Sequence, residues 1–298
     1  MSEDADPRYR ELDLWDDRTA LAAMWEGQLA AVAAVGPALP ALAGAVAALA
    51  GRLAGGGRLV YAGAGTSIRI AVQDGTELGP TFDWPEARTL YLIAGGEAAL
   101  RVAVEGAEDD AAAAVAQVAE AGIAPDDAVI GVAASGRTPF TVAALRAARE
   151  AGALTIGIAG SADAPLLQVA EHKVCLATGP EVVAGSTRMK AGTAQKVALN
   201  LLSTQAMVRL GRVHAGLMVD MRPANAKLEA RARAMVMRLA GTDAAGAEAA
   251  LAACGGRVKP AVLVALGLSA EAAQAALAES GGVLRRALSR VPRTAPES

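Results

Sequence analysis

A short apolar run, Leu59-Val60-Tyr61-Ala62, passes through Gly63-Ala64-Gly65 into Thr66-Ser67 and then a helical pattern. Small residues let an oxyanion approach the backbone and the two hydroxyls can donate to it. A helix starting there adds unpaired N–H groups and the positive end of its dipole. Phosphate is the natural guest, although GxGTS alone reads equally as a tight connection that binds nothing. The absence of GxxxxGK[ST] and of a full GxGxxG argues against a nucleoside triphosphate or a dinucleotide. The pattern recurs after Ala128–Val132, where Ala133-Ala134-Ser135-Gly136-Arg137-Thr138-Pro139 offers two more hydroxyls ahead of a helix. Two such loops at the carboxyl ends of parallel strands converge where open α/β sheets bind ligands. A third turn, from Gly185 and Ser186 to Gly192-Thr193, opens another helix that could wall the same crevice; its Arg188 and Lys190 read equally as a solvated first turn.

Carboxylates supply the rest. Glu77 follows Ser67 inside a Gly/Pro-rich turn, and Glu105, Glu108, Asp109 and Asp110 crowd one segment. Like charges so placed form either a solvated helix end, the better reading from this segment alone, or a site that raises one pKa for acid–base work. With a phosphate held nearby, Glu77 and Glu108 become candidates for a proton-transfer pair. His172 and His214 stand alone and read as surface or packing residues. Cys175 and Cys254 are far apart without CxxC spacing, so neither a disulfide framework nor a zinc site is indicated.

These residues need a scaffold, and the alternation of short β-like runs with helical segments supplies one. Strands are predicted at Leu59 to Ala62, Thr89 to Ile93, Ala128 to Val132, Thr155 to Ile158 and Lys173 to Leu176, in a mostly parallel α/β sheet. Helical patterns lie at Glu97 to Val104, Ala111 to Ala121, Phe140 to Glu150 and Thr187 to Leu210, the last with a Gly211 stop. Residues 14–54 read as two or three helices broken at Pro37 and Pro40. After Asp220 the composition shifts to an Arg-rich helix over 223–240 and three short Ala-rich helices reaching Leu288. The domain division that follows is an N-terminal helical segment 1–48, a ligand-binding α/β domain 49–212 and a helical appendage 213–298, with VPRTAPES as a frayed tail.

Composition excludes several classes. The net charge of -3 comes with no Lys/Arg cluster, which sets nucleic acid aside. Gly, Arg and Asp interrupt every apolar run before the roughly 18 residues a bilayer span needs. The acidic start MSEDADPRYRELD is unlike a signal or transit peptide, so a soluble cytoplasmic protein without membrane partners is expected.

The chain resembles the N-acetylmuramic acid 6-phosphate etherases of the sugar isomerase (SIS) superfamily from about Gly51 to Leu288. The matching segments are GGGRLVYAGAGTS, Asp74-Gly75-Thr76-Glu77 with Pro80-Thr81-Phe82, IAGG, AVEGAEDD, GVAASGRTPF, GPEVVAGSTRMKAGTAQK, LNLLST and LMVD. It departs from the family's GTSGR at Ile68 and from its SECPPT turn at Leu78-Gly79. The resemblance implies an SIS-type five-stranded, mostly parallel sheet flanked by helices, with N-terminal helices and a small C-terminal UBA-like appendage. It also implies a cofactor-free lyase that removes D-lactate from N-acetylmuramic acid 6-phosphate in peptidoglycan recycling. Matched motif by motif, Glu108 handles the proton at carbon 2 and Glu77 protonates the departing lactate. Gly65, Thr66, Ser67, Ser135, Gly136, Thr138 and Ser186 bind the phosphorylated amino sugar. Two other readings stand beside this one. A non-catalytic phosphosugar sensor like the glucokinase regulatory proteins would have two SIS domains, and this chain has length for one. An aldose-ketose isomerase would need no acid at carbon 3, so Glu77 separates it from an etherase.

The resemblance also implies a homodimer, and reach argues that its active sites are shared, with Glu77 serving the sugar held by the partner subunit's phosphate loops. If Ser67 to Thr76 is helical, Glu77 lies about 15 Å from the phosphate end, whereas a phosphorylated hexose spans roughly 6 to 7 Å from phosphorus to carbon 3. The alternative is a shorter helix with a chain reversal before Asp74.

Overall fold

The computed structural model describes residues 5–290. The chain divides into two compact units, one built from residues up to Thr76 with Glu86–Ala206, the other from Glu77–Pro85 with residues from Met207 onward.

In the first unit, α1 (Asp17–Ala33) and α2 (Leu39–Ala54) precede β1 (Leu59–Gly63), and α3 (Gly65–Phe82), whose residues from Glu77 belong to the second unit, follows it. Then come β2 (Thr89–Ile93), α4 (Ala111–Glu120), β3 (Ala128–Val132), α5 (Pro139–Glu150), β4 (Leu154–Ala159), α6 (Pro165–Val169), β5 (His172–Cys175) and α7 (Lys190–Arg209). The five strands form one sheet in the order β2-β1-β3-β4-β5, and every pairing is parallel. Every residue of β1, β3 and β4 is buried, which explains why these strands read as continuous apolar runs and not as alternating ones.

Alternation assigns the two faces. Val60, Ala62, Leu92 and Val129 join Phe140, Ala144 and Leu145 of α5 and Leu166 of α6 in one core cluster. Tyr61, one residue out of phase with Val60, turns the other way and donates to Asp74 of α3, whose carboxylate also accepts from Asn200 of α7. On the α5–α6 side, Gly131 and Gly157 are register partners in β3 and β4. A Cβ on Gly157 would lie 2.9 Å from the Cβ of Ala170, and one on Gly131 would lie 3.1 Å from Leu166 Cδ1. At the opposite, amino-terminal strand ends, Asp127 ties β3 to β1. Its carboxylate accepts from the Arg58 backbone N–H at 2.9 Å, from Arg58 Nε at 3.0 Å and Nη2 at 2.6 Å, and from the Ala124 N–H at 3.0 Å.

The stretch Asp17–Ala54 corrects one expectation. By length and composition it holds a window apolar enough to cross a membrane, with mean hydropathy 1.9. A 3₁₀ turn at Gly36–Ala38 interrupts the α-helical pattern, and α2 buries Leu42, Val46, Leu49 and Leu53 where it packs on β3, β4 and β5.

Two segments differ from their predicted form. Glu97 to Val104 has helical composition but forms only a 3₁₀ turn, Glu97–Leu100, entered through Gly95 and Gly96, both at positive φ. The Asp74-Gly75-Thr76-Glu77 "turn" lies inside α3, which runs unbroken to Phe82 and contains Pro80. Gly75 is there for packing: a Cβ would meet Tyr91 Oη at 2.5 Å and Tyr61 Cε2 at 2.9 Å.

The second unit carries the hairpin β6 (Val213–His214) and β7 (Leu217–Met218), then α8 (Ala226–Ala240), α9 (Ala244–Ala253), α10 (Val258–Ala265), α11 (Ala270–Glu279) and α12 (Leu284–Leu288). Among the described residues four short helices follow α8, where three were expected. Asn225, Asp243 and Ser269 each accept a backbone N–H at the start of α8, α9 and α11, satisfying donors the helix itself leaves open. Val236, Ala247, Val262, Leu263 and Leu284 close a core of their own. The hairpin turn Ala215-Gly216 has φ of 49° and 76°, the hand that matches strand twist.

Candidate functional site

The strand order places the crevice. From β1 the chain moves outward to β2, then crosses back to β3 on the other side of β1. The loops leaving β1 and β3 therefore diverge at a switch point of the sheet, where such folds bind ligands. Register makes them neighbours, because Gly63 pairs with Val132 at the two strand ends. A Cβ on Gly63 would sit 3.0 Å from the Val132 carbonyl oxygen, so the close approach leaves little room for a side chain.

After β1, Gly65 turns the chain into α3 with φ of 54°. Thr66 is half-buried and Ser67 is buried; Ser67 Oγ donates to Gln195 Oε1 at 3.0 Å. Ile68, the branched residue at the family departure, is fully buried and packs toward Gly63, so its side chain adds bulk to the core and not to the loop's outer surface. Arg69 donates to the Ala99 and Leu100 carbonyls at 2.8 and 3.1 Å, holding the 3₁₀ turn after β2.

After β3, Ser135 Oγ accepts from the Arg137 N–H at 3.2 Å. Gly136 has φ of 67°, and a Cβ there would lie 2.5 Å from that of Ala164 and 2.7 Å from that of Ala159. No other residue fits. Thr138 caps α5 ahead of Pro139 without a side-chain cap hydrogen bond, so its hydroxyl lies at the helix's positive end uncommitted to the cap. The β3 loop thus presents two hydroxyls and backbone N–H groups together.

The third loop is brought to the first: a Cβ on Gly192 would be 3.3 Å from Ile70 Cδ1 and 3.6 Å from Thr66 Cγ2. Ser186 lies half-buried in the turn before α7. The α7 N-terminus already has its acceptor, because the fully buried Glu181 accepts from the Lys190 and Ala191 N–H groups, each at 2.9 Å. Lys190 Nζ donates to the Pro180 carbonyl at 2.8 Å, while Arg188 is exposed. Gln195 is buried, and its Nε2 has no hydrogen-bond partner among the described residues.

Glu77 is exposed on α3, and the chain reversal considered before Asp74 is absent. Glu108 is exposed in the 3₁₀ turn Ala107–Asp109. Of its acidic neighbours, Asp110 is a helix cap, accepting the Ala113 N–H at 2.8 Å. Composition concealed a different carboxylate. Asp74, 4% exposed, accepts from Tyr61 Oη at 2.7 Å, Asn200 Nδ2 at 2.6 Å and Ser203 Oγ at 3.0 Å. Burial, reinforced by the Asp74 charge, pushes the Tyr61 phenol well up. The same causes push Tyr91, stacked on it at 5.9 Å, up to about 12. Both remain neutral, so Tyr61 stays a donor to Asp74. Asp74, Glu181 and Gln195 were not singled out from sequence; the one signal was their position inside motif segments whose other members drew attention.

A sequence profile of the glucokinase regulatory protein N-terminal SIS domain matches residues 41–149. A Deinococcus radiodurans protein named N-acetylmuramic acid 6-phosphate etherase is 54% identical over 260 residues, 87% of this chain and 85% of that one. Proteins of the same name from Streptomyces avermitilis and Rubrobacter xylanophilus are 48% and 44% identical, over 81% and 88% of this chain and 78% and 87% of theirs. Among solved structures, a Bacteroides fragilis protein named for phosphosugar isomerisation in capsule formation is similar with TM-score 0.52 and 22% identity, covering 67% of this chain and 99% of that one. A Listeria monocytogenes protein named for sugar-phosphate isomerisation gives 0.50 and 16%, covering 65% and 92%. These two likenesses speak to the fold, an α/β sheet of the SIS type.

Proposed function

Because the chain belongs to the N-acetylmuramic acid 6-phosphate etherase family, we propose that it is a carbon–oxygen lyase cleaving the lactyl ether of N-acetylmuramic acid 6-phosphate. The products are N-acetylglucosamine 6-phosphate and D-lactate, and the role is cell-wall amino sugar catabolism and peptidoglycan recycling. The observation that carries this reading is the 54% identity spread over nearly the whole of both chains. The regulatory-protein likeness covers only 41–149 and does not favour a sensor.

The phosphate rests on the β1 and β3 loops, where Thr66, Ser135 and Thr138 donate hydroxyls, Ser67 turns its hydroxyl from Gln195 Oε1 to the phosphate, Gly65 and Gly136 let the backbone close in, and Ser186 borders the site. Opening of the sugar to its aldehyde acidifies carbon 2. Glu108 removes that proton, the electron pair forms the carbon 2–carbon 3 double bond, and the lactate oxygen leaves carbon 3 with a proton from Glu77. Water then adds its oxygen to carbon 3 and a proton returns to carbon 2, each carboxyl reversing its role. No step calls for a cofactor.

Reach makes this a reading of two chains. Ser67 and Glu77 are ten residues apart on one continuous helix, about 15 Å along its axis, more than the roughly 6 to 7 Å the sugar spans from phosphorus to carbon 3. A homodimer in which Glu77 serves the partner's phosphate loops resolves the gap. The exposed stripe of Leu21, Trp25 and Leu29 on α1 offers apolar surface for it. We read 49–212 as the phosphosugar domain, with 1–48 and 213–298 as helical additions. Cytoplasmic action follows from a charged phosphosugar substrate that does not cross a bilayer unaided, and two free cysteines accord with a reducing compartment.

Incubation with N-acetylmuramic acid 6-phosphate should release D-lactate; folded protein that releases none overturns the reading. Glu108→Gln should stop exchange of the carbon 2 proton with solvent deuterium, whereas Glu77→Gln should stop lactate release and leave exchange running. Mixed dimers of inactive Glu77→Gln and Ser135→Ala subunits should regain activity if the site is shared.

A further inference from the structure

The LMVD motif has no part in this chemistry, yet it ends on the most unusual charge in the C-terminal unit. The β6–β7 hairpin delivers Asp220 to the wall of a cavity of about 600 Å3 lined also by Asp83, Arg212, Arg222, Arg257 and Lys259. Lys259 is 7% exposed; its Nζ donates to Asp220 and, at 2.7 Å, to the Gly282 carbonyl. Burial drives both partners toward their neutral forms, Asp220 upward and Lys259 downward. A buried ion pair contributes little to stability compared with well-packed apolar residues, and an open volume of this size forfeits packing. Neither is explained by the needs of a small helical unit.

The charges around the cavity do not balance. Four cations face two carboxylates, an excess of two positive charges. Arg222 is paired with Asp83. Arg212 donates to the Phe82 and Asp83 carbonyls at 3.1 and 3.3 Å, lies 3.5 Å from Asp220 and stands over the Trp84 ring at 5.9 Å. Arg257 gives only its Nε, to the Cys254 carbonyl at 3.3 Å, and its guanidinium has no carboxylate partner among the described residues. Guanidinium forks match phosphate and carboxylate oxygens, and the volume is that of a small-molecule site. A phosphate monoester concentrates close to two negative charges in one group at neutral pH, which matches the excess.

We propose that this cavity is a second anion site, taking the phosphate group of a small phosphorylated molecule between Arg257, Arg222 and Arg212 above the Lys259–Asp220 pair. It shares no residue with the strand-end loops, so it stands or falls independently of the etherase reading.

Trp84 supplies the readout. In a Trp15→Phe, Trp25→Phe protein it is the sole tryptophan, and inorganic phosphate drawn to Arg212 should change its emission saturably. Ser135→Ala in that background should leave the titration unchanged, which separates the cavity from the strand-end loops. Arg257→Ala and Arg222→Ala, both at exposed positions where folding tolerates substitution, should each weaken the midpoint about tenfold through lost charge-assisted hydrogen bonds. No saturable change, a response equally strong in both arginine variants, or a response abolished by Ser135→Ala would each overturn the proposal.

Discussion

Arg58 and Lys259 each hold an aspartate in a close ion pair, one in the sheet unit and one in the C-terminal unit, yet the two carboxyls shift in opposite directions. Burial raises both. Around Asp127 it is outweighed by the Arg58 fork and by backbone N–H groups from Arg58 and Ala124, so this carboxyl is held below the usual range. Asp220 has Lys259 and a more distant Arg212 but no backbone donor, and burial wins. Donor number, more than charge separation, decides whether a buried pair is a clamp or a poised group. The Arg58 pair fastens β1 to β3; the Lys259 pair lines an open cavity.

Breaking each pair should expose this difference. The largest effect is expected for Asp127→Ala, which leaves two backbone N–H groups without their acceptor and the Arg58 guanidinium with only the Ala121 and Gly122 carbonyls, and should cost about 3 to 5 kcal/mol in urea unfolding. Asp74 is an intermediate case, caged by three neutral donors and no cation. Asp74→Ala should cost about 2 to 3 kcal/mol by the same measurement, since Tyr61, Asn200 and Ser203 lose their acceptor. Replacing the other pair outright, Lys259→Met with Asp220→Leu, should change stability by no more than about 1 kcal/mol. A loss as large as that of Asp127→Ala would erase the distinction between clamp and poised pair.

The smallest and most diagnostic effect is in pH dependence. The lowered Asp127 carboxyl contributes stability above the unfolded aspartate pKa of about 3.9, lost as pH falls through its folded value. The raised Asp220 carboxyl does the reverse: its favourable contribution is complete below about pH 3.9 and is lost as pH rises through its folded value. Lys259, lowered by burial, costs stability most below its folded pKa and regains it as pH climbs toward the unfolded value of about 10.4. Asp127→Asn should therefore flatten the acid limb of a stability–pH curve, whereas Asp220→Asn should steepen the rise above pH 4. Equal slopes in the two variants would refute the opposed shifts.

The sheet was legible because β1, β3 and β4 are buried on both faces and have apolar runs that no solvent-facing pattern interrupts. The two hydroxyl loops were legible because the same short stretch contains the glycine, the hydroxyls and the start of the helix. Where sequence reading failed, the deciding partner was remote. Gly75 suggested a turn, but it makes room for two tyrosines, one of them on β2. Asp74 is bonded to Asn200 and Ser203, 126 and 129 positions away, and Ser67 to Gln195, 128 away. Local pattern does not encode such pairings. Glu97 to Val104 failed for the opposite reason: its alanines favour a helix, and the two left-handed glycines before it set another course.

The facing glycines at Gly131 and Gly157 bear on how this chain can change over generations. Because α6 lies against that bare strip of sheet, a methyl group added at either position must be answered by a smaller or displaced neighbour at Leu166 or Ala170. Drift at these four positions is therefore coupled across three elements and the short turn after α6. Descendants of this sequence should vary there in concert or not at all, leaving a trace of covariation in the interior that owes nothing to what the strand ends bind.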